Sequence, residues 1–148
     1  MPDVRLDTPM ATDLPVLLDV WEAAVRATHG FLDEADIHAL RVAIRERYLP
    51  ALELSCIRDE AGRVVGFLGR SGCRVEMLFV APSHHGRGLG RHLLEQAIAE
   101  QGVNELDVNE QNPQALGFYR RMGFEVTGRS PVDGEGRPFP LLHLRRMG

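Results

Sequence analysis

The sequence predicts one mixed α/β domain spanning residues 1–148, and three observations predict it. Its 148 residues, 44% of them hydrophobic, suffice for one core and match the usual size of a single domain. Three strand-like segments between Leu52 and Val80 are separated only by short turns, which makes them antiparallel neighbours. After Val80 the chain reads strand, helix, strand, a crossover that sets two strands parallel.

Val4 to Thr8 alternates and reads as a first strand. Asp13 is expected to cap a helix whose apolar stripe is Leu14, Leu17, Leu18, Trp21, Ala24, Val25 and Thr28. His29-Gly30-Phe31-Leu32 breaks it. Asp33 caps a second helix with Ile37, Leu40, Ile44 and Tyr48 inward, and Pro50 ends it. Leu52–Arg58 and Val64–Arg70 form a hairpin around Asp59-Glu60-Ala61-Gly62, and Arg74–Val80 follows the turn at Ser71-Gly72. A glycine-rich stretch, His85 to Gly90, leads into a helix with Leu89, Leu93, Leu94, Ala97 and Ile98 on one face, stopped by Gly102. Val103–Val108 is a strand. Asn112 caps a short helix with Pro113 at its first position, and Ala115, Phe118, Tyr119 and Met122 line its inner face. Gly123 closes that helix. Phe124–Arg129 and Pro140–Leu144 are the last strands, joined through Asp133-Gly134-Glu135-Gly136. The order is βααβββαβαββ, without repeats, linkers or low-complexity segments.

Composition excludes several classes. No apolar run approaches the ~18 residues that span a bilayer. The start, Met1-Pro2-Asp3-Val4-Arg5-Leu6-Asp7, lacks the basic and apolar regions of a signal peptide, so a cytoplasmic protein without a membrane partner is expected. A net charge of −4 argues against nucleic acid as a partner. The six histidines include no HxxxH pair, and Cys56 and Cys73 fit no zinc spacing; both read as small core residues, and no metal is expected. Residues 1–60 carry 6 arginines against 12 acids, whereas the remainder carries 11 against 9, and the chain has no lysine. An acidic half suited to a cationic ligand is thus joined to a basic half suited to an anionic one, unless the split is surface scatter.

The chemistry concentrates at Val80-Ala81-Pro82-Ser83-His84-His85-Gly86-Arg87-Gly88-Leu89-Gly90. A strand ends, glycines turn the chain, and a helix begins. The helix start offers unpaired N–H groups and a positive dipole end to a phosphate or pyrophosphate. Glycine lets the backbone approach the anion, and Arg87 adds charge. A nucleotide P-loop is excluded, because it ends in Gly-Lys-Ser/Thr and this chain has no lysine. The glycine spacing does not match the dinucleotide GxGxxG pattern either.

Val-x-Pro followed by His85-x-x-Gly88-x-Gly90 resembles the acyl-CoA motif of the GNAT superfamily of N-acetyltransferases, (Gln/Arg)-x-x-Gly-x-(Gly/Ala), with His85 in the Gln/Arg position. Asn112 to Phe124 is similar to the GNAT pattern N-x-x-A-x-x-F-Y-x-x-x-G-F at every specified position. The element order agrees as well. Asp107–Asn112, Val126–Ser130 and Pro138–Leu142 resemble the small bacterial YjaB-type members of that superfamily.

The resemblance implies a GNAT fold: a mixed, mostly antiparallel sheet of six to seven strands with a V-shaped splay between the fourth and fifth, flanked by four helices. It implies acetyl-CoA as co-substrate and transfer to a primary amine by direct attack on the thioester, without a cysteine nucleophile. Leu78, Phe79 and Val80 would present the sheet edge to the pantetheine amides. His85, Gly86, Arg87, Gly88, Leu89 and Gly90 would hold the pyrophosphate, and the Asn112 side chain would contact the CoA arm. Tyr119 matches the general acid that protonates the departing thiolate.

Two carboxylates match base positions of different branches. Glu76, between Val75 and Met77, is expected inside an apolar strand, where burial raises a carboxyl pKa. Asp107 lies five residues before Asn112. His29 is a third option, and with Phe31 and Leu32 it is expected to border the acceptor pocket. Protein N-terminal or aminoglycoside acetylation, and an acyl-CoA-binding regulatory module without turnover, remain alternatives. The amine acceptor is a small molecule or a peptide, and the chain is a monomer or homodimer.

Overall fold

The computed structural model describes residues 4–146. Seven strands form one sheet: β1 (Arg5–Asp7), β2 (Glu53–Arg58), β3 (Val64–Ser71), β4 (Arg74–Val80), β5 (Glu105–Asn109), β6 (Phe124–Ser130) and β7 (Leu141–Arg146). The four helices are α1 (Leu14–Thr28), α2 (Glu34–Ala43), α3 (Leu89–Gln101) and α4 (Pro113–Arg121). Element order and count are those the sequence predicts, and the sheet runs β1-β2-β3-β4-β5-β7-β6.

All pairings are antiparallel except β4–β5. That parallel pair is the crossover expected after Val80, with α3 as its connection. It holds at Arg74↔Glu105 and Val75↔Leu106 and no further, so the strands part toward Val80 and Asn109.

Each sheet face has its own core. α3 and α4 cover one, where Leu93, Leu94 and Ala97 pack with Leu106, Val108, Phe124 and Leu144. α1 and α2 cover the other, where Leu17, Trp21, Val25 and Ile37 pack on Cys56, Phe67 and Met77. Strand alternation sends neighbours to opposite cores: Leu78 meets the first cluster and Phe79 the second. Leu17, Phe67, Leu93 and Leu94 are fully buried, which is worth about 1.5–3 kcal/mol for each side chain.

Three local expectations change. Asp13 stands at the start of α1 but makes no side-chain cap there. Its carboxylate instead accepts from the Met10 N–H at 2.7 Å and pairs with Arg58 at 2.8 Å, because a 3-10 turn (Ala11–Asp13) already occupies the entry. Asp33 does cap α2, accepting from Asp36 N at 2.8 Å. The α-helix ends at Ala43, before the expected Pro50, and the helical path rewinds through a π turn (Ile44–Tyr48) and a 3-10 turn (Leu49–Ala51) that contains Pro50. Proline has no N–H to donate to the carbonyl one α-turn back, so regular α-helix cannot continue through it. Cys56 is a core residue, but Cys73 is exposed, since it lies in the tight turn between β3 and β4.

Candidate active site

The site starts from the parting of β4 and β5. One edge of Leu78, Phe79 and Val80 pairs with Leu68, Phe67 and Gly66 of β3. Their other edge borders the gap, because no β5 partner follows Val75. Backbone groups on that edge, apart from the Val80 carbonyl that His85 holds, are open to an extended ligand that adds itself as a strand. Pairing jumps from Gly69↔Met77 to Arg70↔Val75, so Glu76 is the extra residue of a β-bulge.

The glycine-rich turn closes one end of the gap. His85 Nε2 donates to the Val80 carbonyl at 2.9 Å and ties the turn to the end of β4. Gly86 and Gly88 have φ of 78° and 75°, a left-handed backbone that L side chains rarely adopt. Gly88 starts α3 without a side-chain cap, so the first N–H groups of a 13-residue helix stay available to an anion. Arg87 is exposed beside them. The Leu89 side chain is buried in the core and anchors the helix, which leaves only its backbone facing the turn. A Cβ at Gly90 would make ordinary contacts with Val80 and Phe118, at 3.6 and 3.8 Å.

α4 supplies the next two residues. Asn112 caps it as predicted, its Oδ1 accepting from Ala115 N at 3.2 Å. That oxygen keeps a second lone pair, and the amide N–H groups can donate to a further partner. Tyr119 is buried between Phe118 and Phe124, with ring centroids 5.1 and 5.9 Å away. Burial pushes its phenol above the ordinary value near 10.

Glu76 does not sit as the sequence suggests. The Glu76 side chain is 37% exposed, not enclosed among apolar neighbours, because the bulge takes it out of the regular alternation. Its Oε1 accepts from Arg74 Nε at 3.0 Å. Asp107 is the more sheltered, and its Oδ2 is also bound by Arg74. One guanidinium thus holds both candidates where β4 and β5 last touch. Asp107 Oδ1 takes Nδ1 of His143 at 2.6 Å, and His143 Nε2 meets Ser130 Oγ at 2.7 Å.

Arg74, His143 and Ser130 are absent from the sequence-based candidates. Alternation along Leu142-His143-Leu144 marks His143 as facing away from the core, but only the β5–β7 register sets it against Asp107.

The α1–α2 connection and the β6–β7 connection meet on the α1/α2 side of the sheet. Phe31 packs on Phe139, with centroids 5.4 Å apart, and His29 lies 5.2 Å from Phe31. Arg47 pairs with Glu135, and Arg137 with Asp36 at 3.4 Å. His29 Nδ1 is engaged by Thr28 Oγ1 at 2.8 Å, and burial pushes its imidazole below the ordinary range. Leu32 is partly buried and packs against the α1/α2 core. Cys56 is fully buried and burial pushes its thiol up to about 11, which keeps it protonated. Among the described residues no group of three or more His, Cys, Asp or Glu could hold a metal ion, and no helix is long and apolar enough to cross a membrane.

A splayed parallel pair, a glycine turn opening a helix and a buried tyrosine on the helix beyond are the arrangement expected of the acyl-CoA-dependent acyltransferase that the sequence resembles. Residues 52–126 match the family described as Acetyltransferase (GNAT) domain. The chain is 42% identical over 132 residues to the peptidyl-lysine N-acetyltransferase YjaB of Escherichia coli K12, covering 89% of each protein. The solution structure of apo YjaB from Escherichia coli superposes with a TM-score of 0.89 over 98% of each chain, at 38% identity. The PaiA N-acetyltransferase of Thermoplasma acidophilum, solved with coenzyme A, shares the fold at a TM-score of 0.71 and 19% identity, over 96% of this chain and 98% of that one. The chain belongs to the GNAT acetyltransferases. It is an N-acetyltransferase that moves an acetyl group from acetyl-CoA to an amine.

Proposed function

We propose that the acceptor is the side-chain amine of a peptide lysine, and that the residues around the β4–β5 gap carry the transfer. The single observation behind the site assignment is that β4 and β5 pair only at Arg74↔Glu105 and Val75↔Leu106. The open edge of Leu78, Phe79 and Val80 takes the pantetheine amides. The turn at His85, Gly86, Arg87, Gly88, Leu89 and Gly90 takes the pyrophosphate through backbone N–H groups, with Arg87 adding charge. The Asn112 amide N–H groups serve the CoA arm beside the cap.

An N–H on the β4 edge donates to the thioester carbonyl oxygen as it becomes an oxyanion. The amine attacks the carbonyl carbon, the C–S bond breaks, the Tyr119 phenol gives its proton to the departing thiolate, and the proton that the nitrogen sheds as it becomes an amide restores the phenol. Burial keeps that phenol protonated across the working range, so its proton is present when sulfur charge develops. Phe31 and His29 line the acceptor entrance.

A lysine acceptor is supported by the 42% identity to a peptidyl-lysine enzyme and by the acidic first 60 residues, which favour a cationic ligand. The test is acetyl-CoA with a blocked-N-terminus peptide holding one lysine, read by mass spectrometry. Acetylation of that lysine is the expected result. An unmodified blocked peptide, with its unblocked counterpart acetylated only at the N-terminal amine, would overturn the lysine assignment.

A further inference from the structure

Resting on that reading, we propose that Ser130, His143 and Asp107 form the relay that takes the proton from the incoming ammonium. The ammonium must lose a proton before its nitrogen has a lone pair to attack with. The two carboxylates near the gap are poorly placed to accept it, because Arg74 binds both. His143 is the neighbouring group with a lone pair to offer. The Asp107 carboxylate accepts from Nδ1–H, which fixes the tautomer and leaves Nε2 as the acceptor. The Ser130 hydroxyl sits on that nitrogen at 2.7 Å.

The strand order aligns these groups. Asp107 is the first β5 residue past the last pairing with β4, so it stands at the vertex of the gap. His143 is directly opposite it on β7, and Ser130 is on β6 beyond. Ser130 pairs with Leu141, two residues from Phe139, which packs on Phe31 of the α1–α2 connection. An acceptor side chain entering between those connections passes Ser130 and His143 before it reaches the gap. The sheet also makes room for the ring. β6 carries a bulge at Thr127, and a Cβ on Gly128 would come 3.3 Å from His143 Cδ2.

The step balances. The ammonium N–H bond breaks and its proton passes to Ser130 Oγ, while the Ser130 O–H proton passes to His143 Nε2. The amine keeps the electron pair, serine is unchanged, and imidazolium forms beside the Asp107 carboxylate. Reversal toward solvent resets the chain. Asp107 is the positioning residue, acting through His143. The charged groups on this face are Asp107 and Glu105 of β5, Arg145 of β7, Glu125 of β6, and Arg74 and Glu76 of β4.

The experiment measures kcat/KM against pH, with acetyl-CoA and the single-lysine peptide, for wild type, His143→Gln, Ser130→Ala and Asp107→Asn. CoA-dependent thermal shift reports folding and cofactor binding separately. His143→Gln is expected to keep the shift, lose about 10²-fold or more in kcat/KM, and lose the acidic limb that marks protonation of the base. Asp107→Asn is expected to move that limb to lower pH, since the amide no longer stabilises the imidazolium. Added imidazole is expected to restore part of the His143→Gln rate. If His143→Gln does not fold, Ser130→Ala carries the test with an expected loss of about tenfold or more. A wild-type acidic limb retained in a folded His143→Gln, or an unchanged rate in Ser130→Ala, overturns the relay alone. A wild type that binds CoA but acetylates no amine overturns the relay together with the reading beneath it.

Discussion

Asp107 and His143 lie directly opposite each other on β5 and β7, and carboxylate Oδ1 accepts from ring Nδ1 at 2.6 Å. The other carboxylate oxygen is bound by Arg74 of β4. One side chain therefore ties the vertex of the cofactor gap to the strand beside it.

That placement separates the two carboxylates by experiment. Asp107→Asn removes the charge facing both Arg74 and His143 and leaves an acceptor for one of them only, whereas Glu76→Gln changes one contact of a side chain already open to solvent. Steady-state kinetics are expected to give Asp107→Asn the larger loss in kcat, by about tenfold or more. A larger loss in Glu76→Gln would make the bulged glutamate the base.

Coenzyme A is expected to raise the melting temperature, since it binds only the folded gap; at about 100 times its Kd the gain is about 2.7 kcal/mol. Gly88→Val should abolish this shift, because φ of 75° strains any side chain there and the new one crowds the anion. Gly90→Ala should keep it, since its Cβ meets only ordinary contacts. Differential scanning fluorimetry, with and without EDTA, reads both variants, and EDTA should change neither.

Tyr119→Phe keeps the ring packed against Phe118 and Phe124, so stability should hold within about 1.5 kcal/mol. Losing the hydroxyl should lower kcat and kcat/KM together by about 10²-fold or more. Because burial raises this phenol above 10.0, its ionisation should add no alkaline limb to the wild-type profile below that pH. Near-normal kcat in the variant would make Tyr119 a packing residue only.

Arg58, nearly buried, joins Asp7 of β1 at 2.7 Å and Asp13 at 2.8 Å. Hydrogen bonds from Arg58 hold both carboxyls below their ordinary 3.8. A carboxyl lowered on folding stabilises the protein above its unfolded value, and that stability is lost as pH falls through the folded value. Arg58→Met should therefore melt lower than wild type at neutral pH, and the gap should narrow as pH drops below 3.8. A gap that stays constant with pH would mean packing alone is lost.

Phe31→Ala removes the ring that closes on Phe139. The expected result is a raised KM for the peptide with an unchanged CoA thermal shift. Equal loss of both would mean the ring supports the whole fold.

Most of the architecture was legible because it depends on neighbours in sequence. Apolar spacing and turn residues marked the helices and strands, Asp33 and Asn112 capped the helices they were expected to cap, and glycine spacing marked the anion turn. Asp13 misled because the partners competing for its carboxylate, the Met10 N–H and Arg58, are set by a 3-10 turn and a distant strand. Glu76 misled because a β-bulge, invisible in alternation, turned it out to solvent.

The sequence by itself determined the element order, the apolar face of each helix and the glycine turn, since these rest on local periodicity and on backbone conformations only glycine takes easily. Tertiary structure alone decided which polar groups meet. Arg74, Asp107, His143 and Ser130 come from four strands, and strand register, a bulge and the insertion of β7 between β5 and β6 bring them within hydrogen-bond reach. Such contacts are short in range but distant in sequence, so no local pattern encodes them.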